Sequence, residues 1–446
     1  MSDRADSAPS PEDEVARICA DLIRFESVNY GDGSGPGERK AAEYVMELLT
    51  EVGLDPEIVE TEPGRASVMV RIEGEDTSRP GLAVHGHLDV VPAHAEDWEV
   101  DPFSGEERDG CIWGRGAVDM LDMDAMIIAN LRRLARTGEK PARTTTFVFF
   151  ADEEAGGLQG SRWVVENRPD WFEGVTEAVS EVGGFSVTVP RATTGEPARA
   201  YLVQTAEKGI VWLRLHARGR AGHGSVPSDA NAVVRLAEAL GRIAAYPWPR
   251  EYIASTKALL DGLSDLTGTP YAPEDPAPVL RHLRHAAGFV TGTLTDTAIP
   301  TMLDAGYKMN VVPQKASASV DCRFLPGHEE HLLAKVRELA GEHVDVVVDH
   351  RDISLDAPIT GDLVTAMTQS LLVEDPDATV LPYCLSGGTD NKALSRLGIT
   401  GYGFVPLRLP PDLEFAPMFH GINERVPVDS LTVSYTHLTL PTILRV

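Results

Sequence analysis

Thr144–Ala151 reads TTTFVFFA, a run without a charge, and it is followed at once by DEEAGG over Asp152–Gly157. A continuous apolar run of this length, rather than an alternating one, is the pattern of a strand buried on both faces, inside a sheet with helices on either side. The sequence around it agrees. Ser67–Ile72 and Gly81–Val84 read as strands, as does 176–180, and helices are expected near 12–24, 38–52, 123–136 and 161–167. The helix from Met123 begins beside Asp122 and Asp124, where acids complement the helix dipole. Strands alternating with helices imply an α/β fold around a central sheet.

The pattern changes near residue 206. Ile210–Ala217 and Ala316–Phe324 alternate, 344–348 reads as a further strand, and helices are expected at 230–243 and 329–339. This order suggests an α+β unit inserted into the first domain. Residues 245–290 are proline-rich and show no clear element. The expected division is 1–205 and 353–433 for a discontinuous α/β domain, with 206–352 as the inserted unit. The first ten residues read as a disordered tail. The final stretch, 434–446 (SYTHLTLPTILRV), reads as a non-native extension, because Thr, Pro and β-branched residues stand where a closing helix is expected.

The chain has 446 residues, with Lys+Arg 40 against Asp+Glu 68 and a formal charge of −28. Such a surface repels phosphate backbones and anionic lipid, which argues against nucleic-acid and membrane partners. Cys19, Cys111, Cys322 and Cys384 are scattered and form no CxxC pair, as suits a reducing compartment. No run of apolar residues is long enough to span a bilayer, and Met1–Glu14 lacks the basic start and apolar stretch of a signal peptide. A cytoplasmic location is expected.

The chemistry gathers at strand ends. GLAVHGHLDVVP places His85, His87 and Asp89 at alternate positions after an apolar strand, where open α/β sheets build their sites. A His followed two residues later by Asp suits a metal ligand with a carboxylate to orient the ring. Periodicity does not choose between His85 and His87. In GRGAVDMLDMD, Asp119 precedes the regular helix and can point back toward the strand ends. In FVFFADEEAGG, Glu153 and Glu154 diverge, so one can ligate metal while the other faces a bound water as general base. The competing reading is a solvated pair capping the next helix. SEVGGF offers Glu181 at another strand end, and MFHGINERVP offers His420 in a late loop. The set His87, Asp119, Glu154, Glu181 and His420 suits two Zn²⁺ or similar ions, with one carboxylate and a hydroxide between them. Two such ions about 3.5–4 Å apart activate water and stabilise an oxyanion.

The inserted unit supplies His223 (RAGHGSVP), Asn310 (KMNVVPQKA) and Arg323 (SVDCRFLPG). The first two could donate to an oxyanion, and Arg323 could clamp a carboxylate. SGGTDNKAL (Ser386–Leu394) is a glycine-rich loop entering a helix, which suits an anion, although Thr389 or Asp390 also reads as a plain N-cap.

With these segments in order, the sequence resembles the co-catalytic di-zinc metallopeptidase family of aminoacylase, carboxypeptidase S, glutamate carboxypeptidase, acetylornithine deacetylase and succinyl-diaminopimelate desuccinylase. The resemblance runs over about 12–432 through HGHLDVVP, WEVDPFSG, GRGAVDM, FADEEAGG, SEVGGF, AGHGSVP, MNVVPQKASASVDCRFLPG, GGTDNKAL and HGINERVP. LDVVP, WEVDPFSG and SEVGG are most similar to the carboxypeptidase S and aminoacylase branches. The resemblance implies that His87 and Glu181 hold one metal, Glu154 and His420 the other, and Asp119 bridges them. Asp89 would orient His87, and Glu153 would be the general base. His223, Asn310, Arg323 and the Gly387–Gly388–Thr389 loop would bind substrate, with His223 reaching across from a partner subunit in dimeric relatives. It implies a zinc-peptidase-like α/β domain with a central mixed sheet, interrupted over 206–352 by an α+β lid or dimerisation domain. Two divalent ions are implied, zinc first, with cobalt or manganese as alternatives. The implied reaction is hydrolysis of N-acyl amino acids or short peptides with a free C-terminal carboxylate. The implied assembly is a homodimer through the lid. Within the family, a dipeptidase and a biosynthetic deacylase are the alternatives; outside it, a non-catalytic metal-binding scaffold, from which an intact Glu153 discriminates. MLDMDA after Asp119 departs from the family's Lys-Gly-Gly-like run, and against the family pattern 245–290 reads as an enlarged lid.

Overall fold

The computed structural model describes residues 11–439. The disordered tail expected over the first ten residues therefore lies outside the described residues, as do the last seven of the chain. Ten strands form the main sheet among the described residues. At its centre Thr145–Phe150, Gly81–His87 and Val175–Ser180 run side by side and parallel, with His87 opposite Phe150 and Val84 opposite Val179. Arg65–Ile72 flanks Thr145–Phe150 antiparallel, and Thr400–Gly403 flanks Val175–Ser180 in parallel, so the sheet is mixed. Every residue of Thr145–Phe150 and of Gly81–His87 is buried, as the uninterrupted apolar run requires.

The side chains of these strands divide between two cores. Leu82, Val84, Phe147 and Phe149 pack toward helices Pro11–Ile23, Arg39–Glu51 and Leu121–Thr137. Ala83, Val148 and Phe150 pack toward Ser161–Asn167 and Leu394. Helix Leu121–Thr137 is buried along most of its length and ends at Gly138, whose φ of 70° is the left-handed stop that a residue without Cβ adopts freely.

A second, four-stranded antiparallel sheet runs in the order Thr297–Ala305, Lys315–Phe324, Gly209–Arg218, Val344–Asp352. Helices Ala232–Ala245 and Glu329–Ala340 cover one face, enclosing Val211, Leu213, Leu215, Val320, Leu332 and Val336 in a core of their own. Asn231 caps the first of these helices, its side chain accepting from the Val233 and Val234 amides. The other face of this sheet turns Ile210, Trp212, His350 and Asp352 toward the ends of the main-sheet strands.

Two expectations are corrected. Residues 245–290 are not irregular: Ala254–Thr267 is a helix, followed by the short helices Ala277–Leu280 and Ala287–Thr291. Leu259, Leu260, Leu263 and Leu266 pack into the main core rather than that of the smaller sheet, because their stripe meets strand Thr379–Leu385. The closing helix, which the residues after Leu431 argue against, also forms over Val428–Thr439 with Leu431 buried against the main core; whether 434–446 is native is a separate matter, and 440–446 lie outside the described residues.

Candidate metal centre

The three parallel central strands end beside one another, and each delivers a candidate residue. His87 is the last residue of its strand, Glu153 and Glu154 follow Thr145–Phe150, and Glu181 follows Val175–Ser180. Asp119 and His420 come from loops brought together by a small antiparallel pairing of Cys111–Trp113 with Arg425–Pro427. The loop that leaves Trp113 and the one that enters Arg425 therefore lie together over the strand ends.

His87 Nε2 lies 3.4 Å from Asp119 Oδ1 and 3.6 Å from Glu181 Oε2. His420 Nε2 lies 3.2 Å from Asp119 Oδ2 and 3.1 Å from Glu154 Oε2. Asp119 thus faces one imidazole with each carboxylate oxygen. Two groups of converging ligand atoms result, His87–Asp119–Glu154 and His87–Glu153–Glu181.

The donor set fits divalent metal. Ligands about 2.0–2.1 Å from a tetrahedral ion stand about 3.3 Å from one another, which is the spacing of these contacts. His87 Nε2 and Glu154 Oε1 are buried without a hydrogen-bond partner, an arrangement costly unless something else satisfies them. The charges are also out of balance. Burial would lower the His87 imidazole, but the carboxylates of Glu181, Asp119 and Asp89 outweigh it and hold it well above its ordinary value. Asp119 and Glu154 raise His420 to about 10. Burial pushes Glu181 up to about 8 and, joined by the Glu181 charge, pushes Glu153 well above the usual carboxylate range. Carboxylates crowded beyond what two imidazoles can neutralise call for cations.

The structure separates the two histidines that periodicity left open. His85 is directed to Asn391, with Nε2 3.0 Å from Oδ1, and packs edge-on against Phe150. Burial lowers it to about 4, so it is a neutral core histidine. Gly86 between them is fixed by space: a Cβ there would stand 2.2 Å from Asp124 Oδ1. Asp122 and Asp124 do begin their helix, but both are buried and burial pushes both carboxyls well up.

Asp89 does more than orient a ring. The Nδ1 of His87 meets the Asp89 backbone carbonyl at 2.9 Å, with the carboxylate 3.5 Å away. That carboxylate accepts from the amides of Glu153 and Glu154, both at 3.0 Å, and from Asn29 Nδ2 at 2.9 Å. Asp89 thereby ties the candidate ligand His87 on one strand to the turn carrying the candidate base on the next. Left-handed backbone at Asp152, Val182 and His420, with φ of 64°, 53° and 55°, marks the same three turns. Such conformations at non-glycine residues cost about 1–3 kcal/mol each and cluster where geometry serves function.

Two supporting residues were missed in the sequence. Glu424, fully buried, accepts from Arg115 Nη1 at 2.8 Å and from the amides of Gly116, Val118 and Asp119 at 3.0, 2.7 and 3.2 Å. It holds the turn that presents Asp119. Asn29 bonds both Asp89 and Asp152, at 2.9 and 3.0 Å.

The expected substrate residues are placed differently. His223 and Asn310 are exposed on a two-stranded ribbon, Gly222–His223 with Val311–Val312, and line no part of the cavity beside the metal ligands. Arg323 is held in a two-point pair with Asp321, at 2.8 and 3.0 Å, so its fork is already filled. Gly388 and Thr389 do line that cavity, whose volume is about 610 Å³, whereas Gly387 does not. The amide and hydroxyl of Thr389 both donate to Glu207, at 3.1 and 2.7 Å, which leaves neither for a substrate anion.

A sheet whose parallel strands converge ligands on one point, with a further glutamate beside them, belongs to the metal-dependent hydrolases. Residues 83–439 match peptidase family M20/M25/M40, and the chain belongs to that family. It is 28% identical to the N-fatty-acyl-amino acid synthase/hydrolase of Xenopus tropicalis, over 92% of this chain and 81% of that protein. It is 27% identical to aminoacylase-1 of Homo sapiens, over 94% of this chain and 92% of that protein. The M20 family metallo-carboxypeptidase of Sulfolobus solfataricus shares the fold, with a TM-score of 0.71, 18% identity, and 97% of this chain and 100% of that one covered. No helix among the described residues is long and apolar enough to cross a membrane.

Proposed function

We propose that this chain is a metal-dependent amidohydrolase that cleaves N-acyl amino acids, or short peptides with a free C-terminal carboxylate. Relatives named for acylamino-acid hydrolysis and carboxypeptidase activity support that substrate class. His87 and Glu181 would hold one ion, Glu154 and His420 the other, and Asp119 would lie between them. Zinc is the first choice for imidazole and carboxylate ligands, with cobalt or manganese as alternatives. When bound, two such ions supply Lewis acidity that lowers the pKa of water and polarises the scissile carbonyl.

The observation that carries the reading is Glu153. Its carboxylate reaches the same cluster as His87 and Glu181, while its amide is anchored to Asp89. The burial that raises its proton affinity suits a group that takes a proton from the attacking water and passes it to the departing nitrogen. Asp89 keeps Nδ1 of His87 occupied, so Nε2 presents its lone pair to the ligand cluster.

The unit around the smaller sheet, within 206–352, is proposed as a lid and dimerisation domain. Its edge strand Thr297–Ala305 exposes Ile299, Met302 and Leu303. Pairing of two such edges would make a homodimer and give His223 and Asn310 a route to the partner's cleft. All four cysteines are free, in keeping with a cytoplasmic location.

The test is amino-acid release from a panel of N-acyl amino acids and dipeptides, with wild type beside Glu153→Ala, each with added Zn²⁺ and with chelator. Metal-dependent release that falls by about 10²–10⁴ in the variant is the expected result. Wild-type turnover by Glu153→Ala overturns the mechanism, and no release from folded, metal-loaded protein favours a scaffold.

A further inference from the structure

The cavity beside Glu153 and Glu154 has a second wall, contributed by the open face of the smaller sheet. Ile210 and Trp212 on Gly209–Arg218, and His350 on Val344–Asp352, face it, with Leu158 from the main domain. Trp212 and His350 are register partners, and their rings lie 4.8 Å apart at 40°. Trp212 is 48% exposed and Leu158 62%, large apolar side chains left open beside the candidate catalytic residues. Burial, with the neighbouring Arg162 charge, lowers His350, so it presents a neutral ring.

The same cavity is lined by two cationic side chains, Arg162 and Lys392. Arg162 is paired with Asp352 at 3.0 Å, whereas the Lys392 ammonium touches no carboxylate and donates to the Lys208 carbonyl at 2.9 Å; burial lowers its proton affinity, and the more distant charges of Glu207 and Asp352 oppose that shift. An ammonium has two further donors. The aromatic wall and the Lys392 ammonium thus share one space with the base.

We propose that this wall is the side-chain subsite for the amino acid released by hydrolysis, and that it selects a large apolar or aromatic residue. The inference rests on the amidohydrolase reading above. The amino-acid half of an N-acyl amino acid carries a carboxylate and a side chain on one carbon, next to the scissile nitrogen. The acyl half carries no second anchor. A cavity offering a cation and an aromatic pair beside the base therefore matches the amino-acid half. Lys392 takes the carboxylate, and Trp212, His350 and Leu158 cover the side chain.

The experiment measures kcat/KM of the metal-loaded full chain on N-acetyl-L-phenylalanine, N-acetyl-L-leucine, N-acetylglycine and N-acetyl-L-aspartate. It is run on wild type, Trp212→Ala and Trp212→Phe. Binding of free L-phenylalanine and glycine is measured alongside by calorimetry. Wild type is expected to favour phenylalanine and leucine over glycine by ~10-fold or more, and to discriminate against aspartate. Trp212→Ala should reduce the phenylalanine-to-glycine ratio by ~10-fold, and Trp212→Phe should keep most of it. Half exposed on a strand, Trp212 can be truncated without opening a core. A wild type that hydrolyses glycine or aspartate as well as phenylalanine overturns the proposal, as does an unchanged ratio in Trp212→Ala. If no substrate is hydrolysed, the amidohydrolase reading fails by itself. The subsite is then decided by calorimetry: tighter binding of phenylalanine than glycine, lost in Trp212→Ala, supports it, and equal binding overturns it.

Discussion

Lys208 shows what a single buried side chain implies for the molecule. It is fully enclosed, and its Nζ donates to the carbonyls of Gly292 and Thr295 at 2.9 and 2.8 Å. Burial lowers it to about 8, against about 10.4 in an unfolded chain. Between these values the unfolded state holds the proton and the folded state has released it, so folding stability rises with pH over that window. Below pH 8 both states are charged and the burial cost is present in full. Lys208→Met should therefore flatten the rise relative to wild type by up to about 3 kcal/mol between pH 8 and 10.4, read from urea denaturation across that range. An identical pH profile in the two proteins would show that the ammonium is not buried. At this scale the candidate ligand cluster was largely legible, because His87, Glu154 and Glu181 lie at or just after the ends of apolar strands and the sequence marks those ends. The choice of His87 over His85 was not, since both point to one side of a strand and only the contact with Asn391, distant in sequence, separates them.

Elements supply what single residues cannot. The turn from Gly114 to Asp119 has no repetitive structure of its own, and three of its amides converge on Glu424. Glu424→Ala would leave Arg115 buried without its partner and those donors unpaired. Breaking a buried pair in this way costs about 3–5 kcal/mol. Denaturant unfolding should register that loss, and metal affinity should fall ~10–100-fold as Asp119 loses its support. A stability change within about 0.5 kcal/mol would mean that the turn holds itself. Glu424 was illegible because its partners lie some 300 positions earlier and ERVP has no periodicity to single it out. Helix Ala254–Thr267 was missed for another reason. Its apolar stripe at Leu259, Leu260, Leu263 and Leu266 has helical spacing, but the prolines on either side make the stretch read as irregular. Gly262 is a close approach: a Cβ there would stand 2.3 Å from Leu381 Cδ2. Packing onto Thr379–Leu385 overrides the local propensity.

At the scale of the whole molecule, the smaller sheet ends in two edge strands among the described residues, Thr297–Ala305 and Val344–Asp352, and the first is the one with exposed apolar side chains in a row. Thr297–Ala305 pairs with Lys315–Phe324 along one edge and with no strand along the other among the described residues. Along it Ile299, Met302 and Leu303 are 58%, 65% and 65% exposed. An open edge that also carries apolar side chains is a pairing surface, and proteins that stay monomeric blunt such edges with charge or proline. The strand carries two such features, Pro300 at the register shift near its start and the exposed Asp304 near its end. A twofold axis beside this edge would join two sheets into one and bury the three side chains against their copies. The charge of −28 opposes association, and salt screens it over a Debye length of about 10 Å at 0.1 M. Light scattering on the size-separated wild type should therefore report twice the chain mass, and the dimer should resist dilution better as salt rises. The double substitution Met302→Lys with Leu303→Lys should give the monomer mass while leaving thermal unfolding within a few degrees, since both side chains are exposed in the single chain. His223 and Asn310 are exposed and line no part of the cavity in one chain, so a substrate role for them depends on this same contact. If wild type has the monomer mass at micromolar concentration, the edge contact and the partner-borne histidine are lost together, and the cleft must be complete within one chain.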